Sequence, residues 1–95
     1  MGRDIARNRR AIYCINLYLS EMTDPKFFRN ERQRKQASYA RSTLLYLKKQ
    51  IEEDPSRSPR EIILLFISSM DRKTGFRYSV AYDTAVDFFD RYYAW

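Results

Sequence analysis

Glu61-Ile62-Ile63-Leu64-Leu65-Phe66-Ile67, with Met70 one turn later, is the stretch whose reading decides the fold. Seven of the ten residues from Glu61 to Met70 are apolar, and a helix drawn through them has no polar side. A helix that is apolar all round needs a partner on every face, so this one is expected inside a shell of other helices. Its start is marked by Ser58-Pro59-Arg60-Glu61. The S-x-x-E spacing is that of a capping box with Ser58 as N-cap, and Pro59 suits the first helical position. The pattern predicts a buried central helix over 59–71.

Working outward, residues 4 to about 22 predict a first helix. Ile5, Ile12, Ile15, Leu19 and Met22 form one apolar stripe, while Arg3, Arg7, Arg10 and Cys14 recur on roughly the opposite side. Thr23-Asp24-Pro25 ends it and starts the next region, with Asp24 as N-cap and Pro25 at the first helical position. That region runs from Pro25 to about Glu53. Ala37, Ala40, Leu44, Leu47 and Ile51 give it an apolar seam, but Arg29 to Gln36 is polar on every side. One long helix and two shorter ones broken near 30–36 both fit. Asp54-Pro55 ends the region, because a residue before proline is pushed out of the α conformation.

Beyond Met70, Asp71-Arg72-Lys73-Thr74-Gly75 predicts a helix end, with cations at the negative end of the dipole and a glycine for a left-handed turn. Ser79 is the expected N-cap of a last helix from Val80 to about Tyr93. Ala81, Ala85, Phe88 and Tyr92 would form its inner face, flanked by Tyr78, Tyr82, Phe89 and Trp95, with Asp83, Asp87 and Asp90 nearly opposite. The expected fold is all-α: one domain over 1–95, a bundle of four or five helices around the 59–71 helix.

The totals narrow the function. The 95 residues carry 18 Lys+Arg against 12 Asp+Glu, for a net charge of +6. Residues 1–60 hold 14 cations and 7 acids, net +7; residues 61–95 hold 4 and 5, net −1. An anionic partner is therefore to be sought on the first half. The longest apolar run, Ile62 to Ile67, is far short of the ~20 residues that cross a bilayer, and no apolar leader follows the basic start. The single cysteine, Cys14, excludes an internal disulfide framework and fits a reducing, cytoplasmic setting.

Catalytic chemistry has little to build on. There is no histidine, no glycine-rich phosphate loop and no Cys-x-x-Cys spacing, so no enzyme, cofactor, metal or small-molecule substrate is expected. Cys14 near Arg10 could be an activated thiolate, but a free surface or edge cysteine is the simpler reading. Asp83, Asp87 and Asp90 lie along one rod with no second element to complete a metal shell. They read instead as a solvated face or as an acidic stripe for a protein partner, one that could attract the basic stripe Arg3, Arg7 and Arg10 within or between chains. Arg29, Arg32, Arg34, Lys35, Tyr39, Arg41 and Tyr46 mix cations with flat rings on or beside one side of the second helix. That mixture suits phosphates and unpaired bases, or a protein surface. A helix-turn-helix over 59–93 is disfavoured, since its recognition helix would set three aspartates against phosphates.

Ser58-Pro59-Arg60-Glu61 through Phe66 to Met70-Asp71, then Tyr78-Ser79-Val80-Ala81-Tyr82-Asp83-Thr84-Ala85, resembles a group of short helical proteins of gut Firmicutes and their mobile elements. That group shows a Pro-x-Glu start, a Phe-x-x-x-Met-Asp helix end and a Phe/Tyr-Ser-Val-Ala-x-Asp opening to the last helix. The likeness covers about the last 38 residues, with a shorter connection between Met70-Asp71 and Tyr78 in this chain. It implies a fold and no site, and it favours a small accessory or inhibitory protein over a metabolic enzyme. The expected function is a non-catalytic interaction module acting by protein–protein contact, with a homodimer as one form of it. The alternative is a basic nucleic-acid-binding accessory protein using the 26–49 helix.

Overall fold

The structure, a computed structural model, describes the backbone of residues 2–94 and the side chains of residues 7–91. Among the described residues four α-helices follow one another: α1 (Gly2–Glu21), α2 (Glu31–Glu53), α3 (Pro59–Asp71) and α4 (Phe76–Ala94), with a 3-10 turn at Pro25–Phe27. No strand occurs among the described residues. Every helix touches the other three, which makes the chain the all-α bundle that its periodicities predict.

The core draws on all four. Ala11, Cys14 and Ile15 come from α1, Leu44, Leu47 and Ile51 from α2, Ile62 and Ile63 from α3, and Ala85 and Phe88 from α4. Ile12, Leu19 and Met22 pack around this cluster, as their stripe requires. Ile5, Tyr92 and Trp95 lie outside the described side chains. Cys14 departs from expectation. It is only 2% exposed, so it belongs to the inner face beside Ala11 and Ile15 rather than to the basic side.

α3 has the predicted bounds, and Ser58 caps it by accepting from the Glu61 N–H at 3.2 Å. It is not enclosed on every side, however. Pro59, Ile62 and Ile63 are buried, whereas Leu64 and Leu65 face outward, Leu65 with 51% of its surface exposed. The reason is geometric. A bundle built from 95 residues has too few helices to surround one of its own members, so an all-apolar helix keeps one face unpartnered.

The ambiguity over 25–53 resolves into a break at 28–30. Asp24 accepts from the Lys26 N–H at 3.0 Å and starts the 3-10 turn, after which Phe28 and Asn30 are extended. Asn30 then caps α2 by accepting from the Gln33 N–H at 2.8 Å. The polar front of α2 is thus helical from Glu31, supported by a Glu31–Lys35 ion pair at 3.3 Å. The region therefore ends at Glu53 as expected, but its α-helix starts only at Glu31, so the 26–49 stretch offered for nucleic-acid contact is not one continuous helix.

The last helix begins before its expected cap. Gly75 has φ +120°, a left-handed value that favours glycine, and its carbonyl already accepts from the Ser79 N–H at 3.0 Å. Ser79 is therefore inside α4 rather than capping it. The early start sets the Phe76 ring 6.1 Å from that of Tyr39 on α2, and packing of that kind outweighs a local capping preference.

Candidate functional site

α2, α3 and α4 together line one side of the bundle. The positions facing one another there are small: Ser38 and Ser42 on α2, Ser69 on α3, Ala81 on α4. Short side chains cannot close the gap between neighbouring helices, so a half-open groove of about 670 Å³ remains. Its floor is Thr43, Ile62 and Ala81, all buried. The Thr43 hydroxyl donates back to the Tyr39 carbonyl at 2.9 Å. Tyr46 and Phe66 meet across the groove with ring centroids 5.5 Å apart, and Leu65 and Met70 continue the apolar wall. Tyr46 nevertheless keeps 49% of its surface exposed.

The ends differ in charge. At one end Asp54 and Arg57 form an ion pair at 3.7 Å, and Asp54 also accepts from the Ser56 hydroxyl at 2.7 Å. At the other, Lys73 and Arg77 sit over the Tyr78 ring at 4.9 and 5.9 Å. Outside the lining, the Arg32 guanidinium covers the Phe76 ring at 4.6 Å.

The residues singled out on the second helix are not brought together as one cluster. Tyr39 and Tyr46 line the groove, whereas Arg32 lies over the Phe76 ring and is not among the lining residues. At 100° per residue Arg34 and Arg41 point about 140–160° away from Tyr39, both exposed, and Arg29 precedes the helix. Lys35 is engaged by Glu31. On α1, Arg7 and Arg10 are exposed on the helix surface and both have interaction partners, while Arg3 lies outside the described side chains.

Asp83, Asp87 and Asp90 are all exposed on α4. Asp87 is a structural linker as well: it accepts from the Tyr18 hydroxyl at 2.6 Å and pairs with Arg91 at 3.2 Å, while Arg91 reaches Glu21 at 2.8 Å. Burial, reinforced by Asp87, pushes the Tyr18 phenol up to about 12. Burial likewise raises the Cys14 thiol above its ordinary value, with Arg10 opposing it more weakly. That shift holds the sulfur as a thiol, contrary to what an activated nucleophile requires. Among the described residues no His/Cys/Asp/Glu group could hold a metal ion, and no helix is long and apolar enough to cross a membrane.

No single helix of the sequence carries the groove, because its walls come from three helices. The small residues facing each other are visible in the chain, but their juxtaposition is not. Comparison with known proteins finds no matching family and no similar curated protein or solved structure.

Proposed function

We propose that this protein is a non-catalytic binding module that receives an amphipathic helix of a partner protein in the α2–α3–α4 groove. The observation that carries the reading is the exposed apolar wall of Tyr46 and Leu65 over Phe66 and Met70. Half-exposed large side chains around a concave floor are what a helix-in-groove contact covers, with anchors at i, i+3/i+4 and i+7. The groove runs beside α2 from Tyr39 to Asp54, about 22 Å at 1.5 Å per residue, the length of a four-turn helix. Apolar rings and alkyl chains supply the affinity, and the hydroxyls and cations at the rim supply register. A small accessory or inhibitory protein of the reducing cytoplasm would act through such a surface.

Nucleic acid is a poorer occupant. Tyr39 is turned edge-on against Phe76, leaving Tyr46 as the half-exposed ring of the pair, and the cations of α2 point to more than one side. Stacking on bases needs a ring face, and charge alone gives only salt-sensitive, unselective binding.

The test is selection of a displayed library of helical peptides, about 15 residues long to match the groove, on the parent protein and on Ser69→Trp. The indole would fill the groove from an exposed position. Peptides recovered on the parent and lost on the variant, with apolar residues at helical spacing, are the expected result. Equal recovery on both would place binding elsewhere. Light scattering well above 11.5 kDa without peptide, returned to the monomer by Ser69→Trp, would make a second copy the occupant. Steeply salt-dependent binding of random oligonucleotides, weakened by Arg32→Ala, would replace the protein reading.

A further inference from the structure

The groove is electrically lopsided, and that asymmetry says which charge its occupant carries and where. Four charged residues line it, Asp54, Arg57, Lys73 and Arg77. Asp54 and Arg57 offset one another at one end, and the Asp54 carboxylate is further engaged by Ser56. At the opposite end Lys73 and Arg77 line the groove with no carboxylate among the lining residues beside them. Both lie over the Tyr78 ring, a contact that orients a cation without using its hydrogen-bond donors. Two further acids stand on neighbouring elements. Glu31 is held by Lys35, and Asp71, exposed in the last turn of α3, is outside the lining.

Resting on the groove reading above, we propose that the partner helix is acidic at one end. Its carboxylates dock on Lys73 and Arg77, while its apolar stripe runs over Phe66 and Leu65 toward the Asp54–Arg57 pair. Arginine takes a carboxylate in a bidentate fork, and the lysine beside it adds a point charge. The ring beneath limits the rotamers both must give up.

The experiment uses the same display format with a fixed apolar stripe and with Glu, Gln or Lys allowed at the flanking positions of both ends. It is run on the full chain, on Lys73→Glu/Arg77→Glu, on the milder Lys73→Gln/Arg77→Gln, and on Arg57→Gln. All of these side chains are exposed, and circular dichroism checks that each variant is folded. On the parent, Glu should be enriched over Lys at one end by roughly five- to tenfold, the effect of two partly exposed ion pairs. The preference should vanish in the Gln pair, reverse in the Glu pair and persist in Arg57→Gln. Recovered peptides without charge bias on the parent, or a bias unchanged in the Lys73/Arg77 variants, would overturn this inference and leave the groove reading standing. Recovery of no peptide on the parent removes both.

Discussion

The Tyr18 hydroxyl donates to the Asp87 carboxylate at 2.6 Å, joining α1 to α4 across 69 positions of sequence. The Tyr18 ring also meets Phe88 edge-on, with centroids 6.2 Å apart, so one side chain serves the core and the surface network together. Tyr18→Phe keeps the ring and removes the hydroxyl. Because Asp87 is about half exposed, the loss should be modest, ~0.5–1.5 kcal/mol by urea denaturation.

The same pair sets a pH signature. The Tyr18 phenol is raised from 10.0 to about 12 in the folded chain, so its contribution is fully present below pH 10. It is lost as pH rises through 12, because the unfolded chain ionises first. The stability difference between parent and Tyr18→Phe should therefore be flat up to pH 10 and shrink above it. A difference that grows in that interval would contradict the sign.

Burial within α3 predicts unequal costs for neighbouring substitutions. Ile63 has no exposed surface, and Ile63→Ala should cost ~2–5 kcal/mol. Leu65, half exposed on the groove wall, should cost less than ~1 kcal/mol when changed to Ala. Comparable values at the two sites, measured from denaturation midpoints, would mean that Leu65 is covered in solution.

Gly75→Ala tests the connection between α3 and α4. An added Cβ would meet only Tyr78 Cδ2 at 3.9 Å, an ordinary contact, so any penalty comes from the backbone at φ +120°. The expected loss is ~1–3 kcal/mol, seen as a lower Tm with the helical circular dichroism signal retained.

Cys14 should be protected from thiol reagents. Its sulfur is buried in the core and its pKa is raised, and both slow attack. Labelling in the folded protein should be slower than in denaturant by roughly a hundredfold or more, since it waits for the chain to open. Prompt labelling of the native protein would refute that placement.

Much of the fold is legible in the chain because it is encoded locally. Ser58-Pro59-Arg60-Glu61 fixes the start of α3, Asp24-Pro25 starts the turn after α1, and the Leu44–Leu47–Ile51 seam points inward. Asn30-x-x-Gln33 has the same spacing and marks the start of α2 just as plainly, although the basic run around it draws the eye. Other features depend on neighbours far along the chain. Ser79 carries a cap preference that Phe76 overrides by packing on Tyr39, and Cys14 turns inward because α1 buries Ala11, Cys14 and Ile15 together. The candidate site belongs to this second kind: it depends on what faces Ser42 and Ser69, and periodicity within one helix carries no such information.

Ser38, Ser42 and Ser69 have a consequence for how this molecule can change. They shape the groove by being short, yet they are exposed and lie outside the buried cluster that holds the helices together. Exchanging one of them for a larger residue would narrow or reshape the groove while leaving the core as it is. At these three positions groove shape and folding are thus written in separate letters, so the groove could be recut one serine at a time, each intermediate still a folded protein.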